Sequence, residues 1–398
     1  MVNPVSEPSH QGDALDAETA AWLRLLLTPG VGRSTARRLL ARAGSAEAIW
    51  QLPHATWGEC ASSAQVQALA VPPTDWAQQC TATAQWLNSA APGLGHTLIT
   101  LGHPQYPDCL LQSEDPPLLL FVQGSATLLQ SDDPWFPYPA TLAVVGSRNP
   151  SAQGLVNARQ MAQALAESGL CIVSGLARGI DAAAHEGALL AGQKASRPHT
   201  IAVVGTGLDQ VYPSSHSALA RQVAEHGLMV SEYLLGSGPL ARHFPQRNRI
   251  IAGLSQGTLV VEAALQSGSL ITARLASEQG REVFAIPGSI HAPQSKGCHA
   301  LLRQGAKLVE SAQDVLEEFQ GLNTRPAHDN KAHAAIKKET TAEHPLLAAL
   351  GHDPMSLDAL VARTGWDAAH LQAQLMELEL DNRVARLPGG MYQRLTAT

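Results

Sequence analysis

The residues best suited to chemistry lie in short glycine-rich segments, each following an apolar run. Gly146-Ser147-Arg148-Asn149-Pro150-Ser151-Ala152-Gln153-Gly154 follows Leu142–Val145. Its small residues let a backbone approach a phosphate, Ser151 can cap a helix, and Arg148 adds a fixed charge with forked donors. Ser174-Gly175-Leu176-Ala177-Arg178-Gly179-Ile180-Asp181 repeats glycine, arginine and a helix start after Leu170–Val173. Ser267-Gly268-Ser269, with Thr272 one turn further on, is an amide- and hydroxyl-rich helix entrance suited to an anion. The most basic element runs from His243 to Ile251, where Arg247 and Arg249 flank Asn248 and Phe244 stands three residues before Arg247. Arginine for phosphate plus an aromatic ring for stacking is a means of holding single strands, each stacked base contributing ~1–3 kcal/mol.

Each of these residues also has a structural reading. One of Arg247 and Arg249 can brace the fold by pairing with a carboxylate such as Glu262. Glu262 itself can hydrogen-bond a sugar, act as a catalytic acid, or orient an arginine. Asp181 reads better as a helix-terminal brace than as a catalyst. His185, His216, His243, His291 and His299 have no metal-ligand spacing, so no metal and no cofactor is expected. Neither the Gly-x-Gly-x-x-Gly dinucleotide fingerprint nor a P-loop occurs, which disfavours P-loop hydrolysis of nucleotides.

The elements that position these segments follow from the apolar runs. Leu142–Val145, Leu170–Val173, Thr200–Val204, Leu228–Val230, Thr258–Val261 and Val283–Ile286 are short, continuously apolar and bounded by glycine, serine or proline. Helix-patterned stretches separate them. Continuous apolarity fits strands covered on both faces, and strands alternating with helices imply an α/β fold with a doubly wound, mostly parallel, Rossmann-like sheet. Ligands of such sheets sit beyond the carboxyl ends of the strands, where the glycine segments fall.

Around this sheet, residues 1–19 read as a polar tail and 20–87 as a helical module. Within that module Thr28-Pro29-Gly30-Val31-Gly32-Arg33 resembles a helix-hairpin-helix, a SAM-like arrangement that serves either DNA phosphates or protein packing. Residues 88–320 hold the sheet and its lead-in, with short strands expected at Thr97–Leu101 and Leu118–Val122. Residues 321–341 read as a linker, and 342–398 as a winged helix: Ser356–Val361, Asp367–Asp381, then a two-stranded turn at Val384–Tyr392.

The chain of 398 residues carries a net charge of −7, which argues against a general nucleic-acid binder. The charge is uneven. Residues 1–140 hold 5 basic and 12 acidic side chains, 141–310 hold 14 and 10, and 311–398 hold 8 and 12. Only the middle segment is basic. Five scattered cysteines form neither a metal site nor a disulfide framework, and no membrane span or secretory signal is read, so a cytoplasmic protein is expected.

Taken in order, the motifs resemble the DprA/Smf family of DNA-processing proteins. The resemblance rests on Val145-Gly146-Ser147-Arg148 with Ser151 and Gly154, on Ser174–Asp181, and on Gly205-Thr206-Gly207-Leu208-Asp209 with Tyr212-Pro213. It continues through Phe244–Ala252, Ser267–Thr272 and Ala285-Ile286-Pro287-Gly288, with Tyr106-Pro107 and Asp115-Pro116-Pro117 as lead-in. It implies a homodimer that binds single-stranded DNA without sequence preference and helps load the RecA recombinase during natural transformation. The phosphate pocket would then fall on Gly146, Ser147, Arg148, Ser151, Ser174, Gly175, Arg178, Gly179 and the Ser267, Gly268, Ser269, Thr272 entrance. Phe244, Arg247, Asn248 and Arg249 would support the strand path. Ser214, Ser215 and His216 replace lysines that some relatives carry after the Tyr-Pro step. Two other readings compete. One is a lysine-decarboxylase-like nucleotide hydrolase with Glu262 as acid and Arg247 as clamp, which lacks its Pro-Gly-Gly-x-Gly-Thr loop here. The other is a protein-interaction scaffold.

Overall fold

The computed structural model describes residues 15–191, 197–319, 344–351, 354–381, 383–387 and 389–395. Most of the expected N-terminal tail and the whole expected linker at 321–341 lie outside them. The chain divides into two compact units, residues 1–138 with 193–254, and residues 139–192 with 255–398.

Among the described residues, nine strands carry the α/β part. They are β1 (Leu94–Thr100), β2 (Leu119–Ser125), β3 (Thr141–Val145), β4 (Cys171–Ser174), β5 (Thr200–Val203), β6 (Leu228–Ser231), β7 (Gly257–Val260), β8 (Glu282–Ala285) and β9 (Lys307–Leu308). In the second unit the order is β4-β3-β7-β8-β9, and the pairs β3/β4, β3/β7, β7/β8 and β8/β9 are parallel. Helices Ala152–Glu167 and Ser269–Glu278 make the β3-to-β4 and β7-to-β8 crossovers. Every residue of β3, β4 and β7 is buried, as expected for strands covered on both faces. Leu142, Val144, Met161, Ile172, Leu259 and Phe284 lie at the heart of that core.

In the first unit the order is β1-β2-β6-β5. Strands β5 and β6 are parallel, joined by helix Ser217–His226, whereas β2 runs antiparallel to both β6 and β1. The two strands expected in the lead-in thus extend a sheet as antiparallel members. Six helices between Ala17 and Asn88 form the N-terminal module. It shares one core with the sheet: Trp22, Leu23 and Leu39 cluster with Leu119 and Phe121 of β2 and with Leu235.

The C-terminal domain is a winged helix. Helices Pro345–Leu350, Leu357–Thr364 and Ala368–Leu380 accompany a three-stranded sheet of β10 (Met355–Ser356), β11 (Val384–Leu387) and β12 (Met391–Arg394), in the order β10-β12-β11. Ser356 and Asp367 cap its second and third helices with their side chains. Leu346, Leu360, Leu371, Leu375 and Tyr392 fill its core. Among the described residues no helix is long and apolar enough to cross a membrane.

Candidate nucleic-acid interface

The loops that leave β3, β4 and β7 are bonded to one another at the carboxyl ends of neighbouring parallel strands. The Ser147 amide donates to the Glu262 carbonyl at 2.7 Å, and the Ile180 amide donates to the Ser147 carbonyl at 3.1 Å. Gly179, at φ +81° and ψ −124°, presses its α-carbon against the 147–148 backbone, where a β-carbon would run into the Ser147 carbonyl. A β-carbon on Gly146 would lie 2.6 Å from Ile180 Cγ1 and 2.9 Å from the Glu262 carbonyl. These glycines let three loops pack against one another. Arg148 and Arg178 project from two of them, and both are exposed.

Several hydroxyls expected to meet phosphate are instead used internally. Ser174 is fully buried and donates to the Val144 carbonyl at 2.7 Å, tying β4 to β3. Ser151 caps helix Ala152–Glu167 by accepting from the Gly154 amide at 3.0 Å, as its position before the helix suggested. Its hydroxyl also donates to Glu262 Oε1 at 2.5 Å, while its amide donates to Oε2 at 2.9 Å. Glu262 is therefore an anchor between loops, with both oxygens engaged by Ser151. Asp181 takes the Gly175 and Ala177 amides at 3.2 and 3.4 Å, the brace expected of it. At the third loop, Ser267 and Ser269 share a 2.7 Å hydroxyl contact. Ser269 and Thr272 are buried and Gly268 is exposed. Ser267 is half-buried, and its hydroxyl also accepts from the Ser269 amide at 3.3 Å.

In the other unit, helix His243–Leu254 holds the second arginine group. Arg247 is only 4% exposed. Its guanidinium donates to the Val203 carbonyl at the end of β5 and, through Nε, to Asn248 Oδ1 at 3.1 Å. Arg249 pairs with Glu232, a carboxylate whose side chain is 7% exposed, and lies 3.7 Å from Asp115. The expectation that these two arginines present their charge to a strand is thus corrected: both heads are turned to internal acceptors, and the carboxylate that Arg249 finds is Glu232. Asn248 is half-buried beside Arg247. Phe244 is half-buried, its ring 5.5 Å from that of exposed Tyr212, and exposed Arg242 precedes it by two residues. Tyr212 and Arg242 are additions to the expected set. Tyr212 stood in a quoted motif, but nothing in its spacing tied it to Phe244.

The hairpin of the N-terminal module shows the same inward use of charge. Gly30 adopts φ +76° in its turn. In the helix that follows, Arg33 Nε and Arg37 Nη1 donate to Asp115 at 2.6 and 2.9 Å. Burial alone would raise the Asp115 carboxyl, but these two hydrogen bonds and the positive charges around it hold it below the usual carboxylate range. The reciprocal effect raises Arg33, against the opposing pull of its own burial.

The chain matches the family described as DNA recombination-mediator protein A over residues 97–320, more than half its length. It belongs to the DprA/Smf family. Residues 16–79 match the DprA-like N-terminal HHH domain, and 330–390 match the DprA winged helix domain. Among curated relatives, Protein Smf of Escherichia coli is 45% identical over 304 residues, 75% of this chain and 78% of that protein. DNA processing protein DprA of Streptococcus pneumoniae is 52% identical over 215 residues, 54% of this chain and 71% of that protein. The X-ray structure of the Streptococcus pneumoniae DprA matches with a TM-score of 0.62 at 38% identity, covering 77% of this chain and 99% of that one. The α/β fold with its mostly parallel sheet, N-terminal helical module and C-terminal winged helix is therefore that of a DprA-family recombination mediator.

Proposed function

We propose that this DprA-family chain binds single-stranded DNA without sequence preference and, as a homodimer, loads a RecA-type recombinase onto it. The observation that carries the reading is the pair Arg148 and Arg178. Both are exposed, on loops joined by the Ser147–Ile180 hydrogen bond at the carboxyl ends of adjacent parallel strands. A polyanion that meets two fixed, forked cations on a rigid base needs no sequence-specific contact. Gly146, Ser147, Gly175 and Gly179 serve this site by shaping the loops, and Ser267 with Gly268 extends it. Phe244, adjoining Tyr212, offers a ring for base stacking.

The family description, a DNA recombination mediator, supports the reading that the chain hands DNA to a recombinase. The division into a helical module at 20–87, a sheet region at 88–320 and a winged helix at 342–398 belongs to the same proposal. No observation favours the hydrolase reading, because Glu262 anchors Ser151 and Arg247 is turned to Val203. A gel shift with oligo-dT and with duplex of the same length, run across a salt series, tests the binding. Preference for the single strand with steep weakening by salt is expected. Equal affinity for duplex, or affinity independent of salt, would overturn it. For loading, the test is RecA filament formation on single strands already covered by a single-strand-binding protein. The chain should accelerate it, and no acceleration would refute that step.

A further inference from the structure

The third helix of the winged-helix domain, Ala368–Leu380, has two apolar sides. Leu371, Leu375 and Leu378 are buried in the domain core. Ala369, Ala373, Met376 and Leu380, spaced by four, three and four residues, lie on the opposite side, and all four are exposed. Met376 is 64% and Leu380 75% exposed, among the most exposed large apolar side chains described.

In the helix-turn-helix mode of reading DNA, the corresponding helix lies in the major groove and cationic side chains reach the phosphates. Ala368–Leu380 contains no lysine or arginine. Its two carboxylates, Glu377 and Glu379, are exposed, and at 100° per residue they fall on either side of the Met376–Leu380 seam. The exposed arginines Arg363, Arg383 and Arg386 belong to other parts of the domain. A phosphate backbone laid along this helix would meet apolar surface rimmed by negative charge, which is unfavourable on both counts.

The complementary surface is an apolar ridge bordered by cations. We infer that helix Ala368–Leu380 is a protein-docking face whose occupant is a basic amphipathic helix of a partner protein, seated on Met376 and Leu380 with its lysines or arginines against Glu377 and Glu379. This role is separate from DNA binding by the sheet loops.

The test uses the full chain and two 18-residue helical peptides with the same leucine seam, one bordered by lysine and one by glutamate, read by fluorescence anisotropy. The lysine-bordered peptide should bind at least tenfold more tightly. The double variant Met376→Gln, Leu380→Gln should weaken that binding at least tenfold while its circular dichroism and its oligo-dT affinity stay unchanged. Because this variant keeps the net charge, it separates docking from general attraction of a cationic peptide to an acidic protein. The variant Glu377→Lys, Glu379→Lys should reverse the preference between the peptides. Equal binding of both peptides, or binding indifferent to both variants, would overturn the inference. So would a drop in duplex affinity caused by Met376→Gln, Leu380→Gln, which would make the helix a DNA contact. A change in that variant's oligomeric state would make the face a contact between copies of this chain, and would equally overturn it.

Discussion

Ser151 gives Glu262 both its amide and its hydroxyl, at 2.9 and 2.5 Å, and so binds the loop after β3 to the loop after β7. The same hydroxyl accepts from the Gly154 amide, so one serine caps a helix and anchors a carboxylate. Ser151→Ala should therefore lower stability by about 1–2 kcal/mol, the cost of a lost cap with a half-buried acceptor left underused. Urea unfolding measures it. With both Glu262 oxygens engaged by Ser151, incubating the protein with nucleoside monophosphates should release no free base. Base release that vanishes in Glu262→Gln would reinstate the enzyme reading.

Gly179 joins two loops that other residues would hold apart. Its φ of +81° and ψ of −124° suit glycine alone, and a β-carbon would strike the Ser147 carbonyl, which is backbone and cannot turn aside. Gly179→Ala should cost about 2–3 kcal/mol and displace the Arg178 loop from the Arg148 loop. Thermal unfolding and oligo-dT affinity, measured on the same preparation, should both fall.

Arg247 and Arg148 should respond in opposite ways to the same substitution. Arg247 is buried against the Val203 carbonyl, so Arg247→Ala is expected to lower stability by roughly 2–3 kcal/mol through lost packing and an unpaired carbonyl. Its DNA affinity, corrected for folded fraction, should change little. Arg148 is exposed, so Arg148→Ala should weaken DNA binding far more than it lowers the melting temperature.

The Asp115 carboxyl, held below its ordinary value of 3.8 by Arg33 and Arg37, contributes stability that is present above that value. It is lost as the pH falls through the still lower folded-state value. The melting temperature should therefore fall between about pH 4 and pH 2 more steeply in the native protein than in Asp115→Asn. At neutral pH the substitution should cost on the order of 1 kcal/mol, because the carboxylate is about a third exposed and solvent screens it. A melting series in matched buffers shows both effects.

Much of this was legible in the sequence, and the parts that were not share a cause. Strands β3 to β7 announce themselves as apolar runs because both faces are covered, so no alternation blurs them. Strand β9 has two residues, Lys307 and Leu308, too few to form a pattern. The glycine loops were placed correctly at strand ends, since a turn from strand to helix has few chemical solutions. What spacing could not reveal was the direction of a side chain. Ser174 lies in the same glycine-rich segment as exposed Arg178, and Thr272 one turn after exposed Gly268, yet both are buried, and Arg247 and Arg249 are as basic in the sequence as Arg148 and Arg178. Which cations face water depends on partners 44 and 17 positions away, Val203 and Glu232, and local pattern carries no record of them.

The account rests on Arg148 and Arg178 as the exposed cations of a single-strand site. The most direct measurement is oligo-dT affinity of Arg148→Ala, Arg178→Ala and the double variant between 50 and 200 mM salt, each first shown to melt like the native protein. The slope of log affinity against log salt should shrink by about 0.7 for each arginine removed, with the double variant at least tenfold weaker at the lowest salt. A folded double variant with native affinity and native slope would contradict it.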